Sequence, residues 1–251
     1  MKKIKKIWIS QPDPQNKNNS YAELAKKYKI KIKFEPLIEI VGLKVRDIRL
    51  QKININHFTA IIFTSRVAID HFFRICEEMR ITVPNTMKYF CISEAISYYL
   101  QKYTAYRKRK IYSGEKKFEN LLELMQKHNS ENFLLPSAEN TNPKILELLN
   151  DSQLNYSRGV FFRTIPKKTT IKRFSYDMII LFSPIDVDSL LLNFSSIFKE
   201  ENDILIAAFG QLTQKYAEKN NLKIALKVPT EKNLSMLAAL DDCLQKNKKA
   251  K

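Results

Sequence analysis

The chain has 251 residues, 44% of them hydrophobic and 27% charged, and a formal net charge of +17. Such a length and apolar fraction support one large domain or two smaller ones with real cores, and exclude a disordered chain. Four glycines are too few to write a P-loop or a G-x-G-x-x-G turn, so the common nucleotide-binding signatures drop out.

No apolar run approaches the roughly 18 residues of a membrane span. The basic start runs into Ile7-Trp8-Ile9 and then Gln11-Pro12, too short for a secretory h-region. Cys76, Cys91 and Cys243 are odd in number and far apart, and His57, His71 and His128 share no ligand spacing. These features predict a cytoplasmic protein with no metal site. Lysine outnumbers arginine 33 to 10 in a chain rich in Ile, Asn, Phe and Tyr. An AT-biased genome produces that blend and accounts for part of the charge; the remainder suits anionic partners. The densest run, Arg107-Lys108-Arg109-Lys110, reads either as a nucleic-acid patch or as the polar start of a strand at Ile111-Tyr112.

In chain order, Ile7 to Ile9 is a short buried strand. Ser20 caps a helix through Leu24 to Tyr28, with Glu23 completing a capping box. Ile30 to Val41 alternates as a long extended segment, and Pro36 marks it as an edge or a connector. Then come strand Ala60 to Phe63, helix Val67 to Met79, strand Tyr89 to Ile92 and helix Glu94 to Tyr103. Strand Lys110 to Tyr112 precedes helix Phe118 to Lys127; strand Phe133 to Leu135 precedes helix Pro143 to Leu149, with Pro143 in its first turn. Val160 to Thr164 is again extended. Three further strand–helix pairs follow: Met178 to Phe182 with Asp186 to Phe194, Leu205 to Phe209 with Leu212 to Lys219, and Ala225 to Val228 with Asn233 to Gln245. This alternation predicts parallel sheets covered on both faces.

The pattern echoes itself. Ile61-Ile62-Phe63-Thr64-Ser65 is matched by Ile179-Ile180-Leu181-Phe182-Ser183 at an offset near half the chain, and Cys91-Ile92-Ser93-Glu94 by Ala208-Phe209-Gly210-Gln211. The echo predicts two doubly wound parallel-sheet α/β domains of flavodoxin or Rossmann type, joined by a two-stranded connector, the second inserted in the first. The expected boundaries are 1–36 plus 167–251 for the discontinuous domain, 42–159 for the inserted one, and 33–41 with 160–166 for the connector.

Ligands of open parallel sheets sit outside the carboxyl ends of the strands. Those ends read Thr64-Ser65-Arg66, Ser93-Glu94, Pro136-Ser137, Ser183-Pro184 and Gly210-Gln211. Small or hydroxyl residues before helix N-termini suit anions, although Ser and Thr there also serve as plain N-caps. Cys76, Cys91, Cys243 and His71 read as packing or boundary residues. Asp186 and Asp188 fall in a first helical turn, where carboxylates complement the dipole. No Ser-His-Asp order, metal motif or phosphate loop appears, so any catalysis rests on shape and electrostatics.

Read together in order, Ile61 to Ala68, Tyr89 to Ala95, Asp177 to Pro184, Ala207 to Gly210 and Pro229-Thr230 resemble the uroporphyrinogen-III synthase family, and most closely its Bacteroidetes-type branch. The resemblance implies two α/β domains with the active site in the cleft between them. It implies a cofactor-independent lyase that closes hydroxymethylbilane, a linear tetrapyrrole polycarboxylate, to uroporphyrinogen III with loss of water and inversion of the last ring. It further implies a cytoplasmic monomer whose partner is that small molecule, with neither membrane nor nucleic acid involved. Candidate substrate-binding residues are Thr64, Ser65, Arg66, Ser93, Glu94, Ser137, Ser183, Pro184, Ile185, Gly210 and Thr213, and Thr213 is also a catalytic candidate. Phe162 falls where the family carries an often-invoked tyrosine, and phenylalanine cannot donate a hydrogen bond. Ile185-Asp186 replaces two small residues, setting an acid towards a polycarboxylate, and Gly210-Gln211-Leu212-Thr213 keeps one threonine of a Gly-Pro-Thr-Thr pattern. Two readings follow: catalysis by backbone N–H groups that tolerates these changes, or a weakened homologue that only holds a tetrapyrrole or other polyanion. A nucleic-acid protein using Arg107 to Lys110 with Tyr112 is the remaining alternative.

Overall fold

The computed structural model describes residues 3–14, 19–105, 109–169, 171, 173–199 and 203–249. In chain order the elements are β1 (Lys6–Ile9), α1 (Ser20–Tyr28), β2 (Lys31–Phe34), β3 (Ile38–Gly42), α2 (Val45–Leu50), β4 (Ala60–Phe63), α3 (Arg66–Glu78), β5 (Lys88–Cys91), α4 (Glu94–Leu100) and β6 (Ile111–Ser113). There follow α5 (Phe118–Gln126), β7 (Phe133–Ala138), α6 (Pro143–Asp151), β8 (Tyr156–Pro166), β9 (Met178–Leu181), α7 (Pro184–Lys199), β10 (Leu205–Phe209), α8 (Gln211–Lys219), β11 (Ile224–Val228) and α9 (Met236–Lys249). The chain divides into two units, Met1–Glu39 with Ile165–Lys251, and Ile40–Thr164.

The discontinuous unit has a parallel sheet in the order β11-β10-β9-β1-β2. Counted along the chain that is the flavodoxin-type order, whose winding reverses between β1 and β9. Successive side chains of a strand point to opposite faces, and β1 obeys this residue by residue. Ile7 and Ile9 pack with Leu24 of α1 and Leu240 and Leu244 of α9, while Trp8 packs with Val187 and Leu190 of α7 and Ala217 of α8. Apart from Lys6 at the start of β1, the central strands carry no exposed residue, as two covered faces require.

The second sheet runs β3-β8-β7-β4-β5-β6. Its strands β4 to β8 are parallel and in Rossmann-type order, reversing between β4 and β7. The β4 side chains again alternate: Ile61 and Phe63 join a cluster with Phe72 and Ile75 of α3, Ala60 and Ile62 one with Leu121 and Met125 of α5. On the outer edge, β3 lies antiparallel to β8, with Leu43 N–H on the Phe161 carbonyl and Lys167 N–H on the Leu37 carbonyl, both at 2.8 Å. A register shift opposite Ala138 bulges β8, and both Phe161 and Phe162 turn into the same core.

Local details differ from the sequence reading. The residue capping α1 is Asn19, whose side chain accepts the Ala22 N–H; Ser20 is already helical. The segment Ile30 to Val41 is two strands in two sheets, broken at Glu35-Pro36-Leu37. There the Glu35 carbonyl accepts Trp8 Nε1–H at 2.9 Å and Leu37 is fully buried. The helix α9 starts three residues later than expected, because Thr230 Oγ1 takes the Asn233 N–H in a turn. The short α2 had no periodicity to announce it.

Candidate active site

In the discontinuous unit the sheet reverses between β1 and β9; Ser10 directly follows the first strand, and Ser183 lies two residues past the second. Ser183 Oγ accepts the Asp186 N–H at 3.2 Å, and Asp186 Oδ2 accepts the Phe182 and Ser183 N–H groups, each at 2.9 Å. This reciprocal box seals the start of α7. Asp186 is 1% exposed, so the carboxylate expected to face a polycarboxylate instead turns inward. Burial pushes its carboxyl above the ordinary range, against the opposing pull of those N–H groups. Ser10 Oγ and Asp186 Oδ1 are both buried at this strand end, and the Ser10 hydroxyl joins the groups that oppose the effect of burial on the Asp186 carboxyl. Pro184 and Ile185 occupy the first turn of α7 and are half-buried.

The neighbouring strand ends differently. Gly210 has φ +86°, a conformation that disfavours side chains, and it starts α8 without a side-chain cap. The first-turn N–H groups of Gln211, Leu212 and Thr213 therefore lie at a helix N-terminus with no acceptor side chain of their own cap, the arrangement that receives anions. Thr213 lies inward, 2% exposed, and Leu212 lies outward. After β11 the Val228–Pro229 peptide is cis.

In the inserted unit Ser65 caps α3, its Oγ accepting the Ala68 N–H at 3.1 Å, and Thr64 beside it is half-buried. Arg66 is exposed, with its guanidinium carbon 5.4 Å from the centre of the Tyr99 ring. The Tyr99 hydroxyl donates to the Asp70 carboxylate at 2.9 Å, and the Tyr103 hydroxyl donates to the same group at 2.6 Å. Ser93 starts α4 but its hydroxyl makes no capping bond; Glu94 beside it is exposed. Ser137 is placed unlike the others. It lies inside β7, is buried, donates to the Gly159 carbonyl at 3.3 Å and accepts Arg158 Nε–H at 3.0 Å.

The profile of the family described as uroporphyrinogen-III synthase HemD matches residues 19–238. The chain belongs to the uroporphyrinogen-III synthase family. Among solved structures, the uroporphyrinogen-III synthetase of Helicobacter pylori aligns with a TM-score of 0.56 at 16% identity, covering 96% of this chain and 99% of that one. A mutant uroporphyrinogen III synthase of Thermus thermophilus aligns with a TM-score of 0.48 at 11% identity, covering 98% and 100%. No curated protein matches the chain in sequence.

Within this family member, Phe162 stacks on His71 with ring centres 5.3 Å apart and is 6% exposed. Burial, and then the nearby Arg74 charge, hold the His71 pKa below its ordinary value. The Cys76 and Cys91 thiols are pushed up to about 12 by burial, which leaves them protonated and unreactive at neutral pH. Arg107 and Lys108 lie outside the described residues. Of the remaining basic run, Lys110 Nζ donates to the Asn85 carbonyl and the Arg109 carbonyl accepts the Tyr112 hydroxyl at 2.8 Å. Sequence reading overlooked Ser10 and the Asp70–Tyr99–Tyr103 group. Ser10 carried the same signal as the others, a hydroxyl directly after an apolar strand. Tyr99 lies in α4 and Tyr103 in the turn just after it, four residues on, a spacing that hints at a shared face but not at the acid they share.

Proposed function

We propose that this chain catalyses the reaction of its family: closure of hydroxymethylbilane to uroporphyrinogen III, with loss of one water and inversion of the last pyrrole ring. The profile match across residues 19–238 carries this reading. The substrate loses its terminal hydroxyl readily and cyclises unaided to the wrong isomer. The protein's task is therefore to hold a curled conformer and to stabilise the charge that develops on the azafulvene and spiro intermediates. No cofactor is needed for that chemistry.

Several features at the strand ends support substrate binding there. The uncapped start of α8 after Gly210 offers backbone donors to carboxylates, as does the uncapped Ser93 at α4. Arg66 adds a cation held over an aromatic ring. Thr64, Ser65 and Glu94 lie at strand ends of the inserted unit, and Ser183, Pro184 and Ile185 at strand ends of the discontinuous one; we assign these to substrate contact, with Ser137 acting through Arg158 and the buried Thr213 supporting the start of α8 from inside. The inward turn of Asp186 supports the reading that its charge does not oppose the substrate. We further propose a monomer acting in the cytoplasm, with the polycarboxylate as its small-molecule partner.

The test couples the purified chain to an enzyme that generates hydroxymethylbilane and resolves the uroporphyrin isomers by chromatography after oxidation. The expected product is type III. Type I at the level of the protein-free control would overturn the proposal.

A further inference from the structure

The amino ends of the strands in the discontinuous unit bear a second basic feature, on the edge opposite the helix N-termini described above. A cavity of about 660 Å3 is lined by seven lysines and no arginine, a size ordinary for small-molecule sites. Its apolar floor is formed by Ile4, Ile30 and Leu244, all buried. The Lys5, Lys6, Lys29, Lys31 and Lys248 side chains on its rim are exposed. The described carboxylates that bond to the lining segments are engaged. Asp241 pairs with Lys27 at 2.7 Å, and Asp177 Oδ2 accepts the backbone N–H groups of Lys5 and Lys6 at 2.8 and 2.9 Å.

Helix dipoles explain only part of this charge. The carbonyl ends of α1 and α9 favour Lys27 and Lys248, but Lys5, Lys6 and Lys31 stand at strand starts where no dipole calls for them. Two of the placements are costly. Lys6 and Lys31 are directly paired in the β1–β2 register, and like charges in that position repel. Lys29 sits at φ +54° closing α1, where glycine is the unstrained residue. A positive φ also occurs at Lys52, Arg80 and Lys116 and so does not single out this place; it is the gathering of like charges around one apolar concavity that points to an anionic ligand that offsets them.

The donor chemistry says what kind of ligand. Nearby backbone N–H groups are already spent: Ile4 on Asn247, Lys5 and Lys6 on Asp177, Lys31 on the Lys5 carbonyl. Recognition thus falls to separated ammonium groups, without the backbone nest or arginine fork that a phosphate favours. An apolar floor inside a ring of point charges fits a molecule with an apolar body and several carboxylates around its margin. We propose that this lysine-ringed cavity is a second site for an apolar-bodied polycarboxylate of the tetrapyrrole class, separate from the strand ends assigned to catalysis. The choice of tetrapyrrole rests on the proposed function; the polycarboxylate site itself does not.

The probe is uroporphyrin, with eight carboxylates, followed by coproporphyrin, with four, titrated into the full chain by fluorescence and calorimetry. The expected result is a class of sites that the triple variant Lys5→Glu/Lys29→Glu/Lys31→Glu weakens roughly a hundredfold, six charge units being altered on the rim. Affinity falls with added salt and from eight carboxylates to four, while kcat and KM in the coupled assay are unchanged. Lys29→Gly guards against misfolding, because it relieves the positive φ; it weakens binding roughly two- to fivefold. Identical porphyrin titrations for wild type and both variants would overturn the proposal. So would displacement of the porphyrin by an RNA oligonucleotide or anionic vesicles at lower concentration, which would reassign the surface to that partner. Failure of the family reaction is distinguishable: it gives type I product with the lysine-dependent site intact, whereas failure here gives type III product with silent lysine variants.

Discussion

Phe162→Tyr adds a single hydroxyl at the position where the sequence resemblance leads one to expect a tyrosine, and the packing sets what that hydroxyl can do. The Phe162 ring is 6% exposed and stacked on His71 at an interplanar angle of 23°. A hydroxyl added there must find an acceptor, and the His71 Nδ1 lone pair already receives Arg74 Nε–H at 3.2 Å. An unpaired buried hydroxyl costs roughly 1–3 kcal/mol. At about 2–4 °C per kcal/mol for a chain of this size, the melting temperature should fall by roughly 2–12 °C. A correctly placed general acid is worth about a hundredfold or more in rate, but a ring committed to the core does not present its hydroxyl to substrate. Type III turnover should therefore rise no more than a few-fold. Calorimetry of the variant beside the coupled isomer assay measures both quantities. A hundredfold gain in turnover with an unchanged melting temperature would refute the reasoning, since it would place the hydroxyl on the substrate and not in the core.

Gly210→Ala introduces a Cβ whose nearest neighbour is Thr213 Oγ1 at 4.0 Å, so its cost is conformational and not steric, about 1–3 kcal/mol. Its melting temperature and its type III turnover should drop together, and a variant matching wild type in both would show that the positive φ is dispensable. Asp186 holds its proton more tightly folded than unfolded. Its contribution relative to Asp186→Asn is thus greatest below pH 3.8 and is lost as pH rises through the folded pKa; urea melts from pH 3 to 7 giving a constant difference would contradict this. His71 behaves oppositely, because its folded pKa is lowered: its contribution is full above pH 6.5 and lost as pH falls through the folded value. His71→Gln should flatten that acid-side slope, and an unaltered slope would assign it to other groups. Tyr99→Leu removes the ring beneath Arg66 and should raise KM roughly two- to fivefold with kcat retained; an equal fall in kcat and kcat/KM would instead put Arg66 in the transition state alone.

Sequence and structure agree where one physical rule decides the outcome. A β4 run such as Ala60 to Phe63 has no polar residue to expose, so it must lie inside a parallel sheet, and Ser65 after it has little choice but to cap α3. Agreement ends where two rules compete. At Ile30 to Val41 the alternation is continuous, yet Pro36 removes a ladder donor and Trp8 claims the Glu35 carbonyl, so the segment changes sheets. Asp186 shows the same conflict at the site. Three residues after Ser183, a carboxylate can face a ligand or reach back to the strand end, and only the three-dimensional start of α7 shows that the Phe182 and Ser183 N–H groups win it. Phe162 turned on the β8 bulge, which adds a residue to the strand's count and places two consecutive phenylalanines in one core. Period-2 reading would have sent one of them outward, towards the role its family position suggested. The same limit hid the lysine-ringed cavity: Lys5, Lys31 and Lys248 are dispersed in a lysine-rich chain, and only strand register and the ends of α1 and α9 bring them around one apolar floor. Composition could state that anions are welcome, but the place where several charges meet is a property of topology.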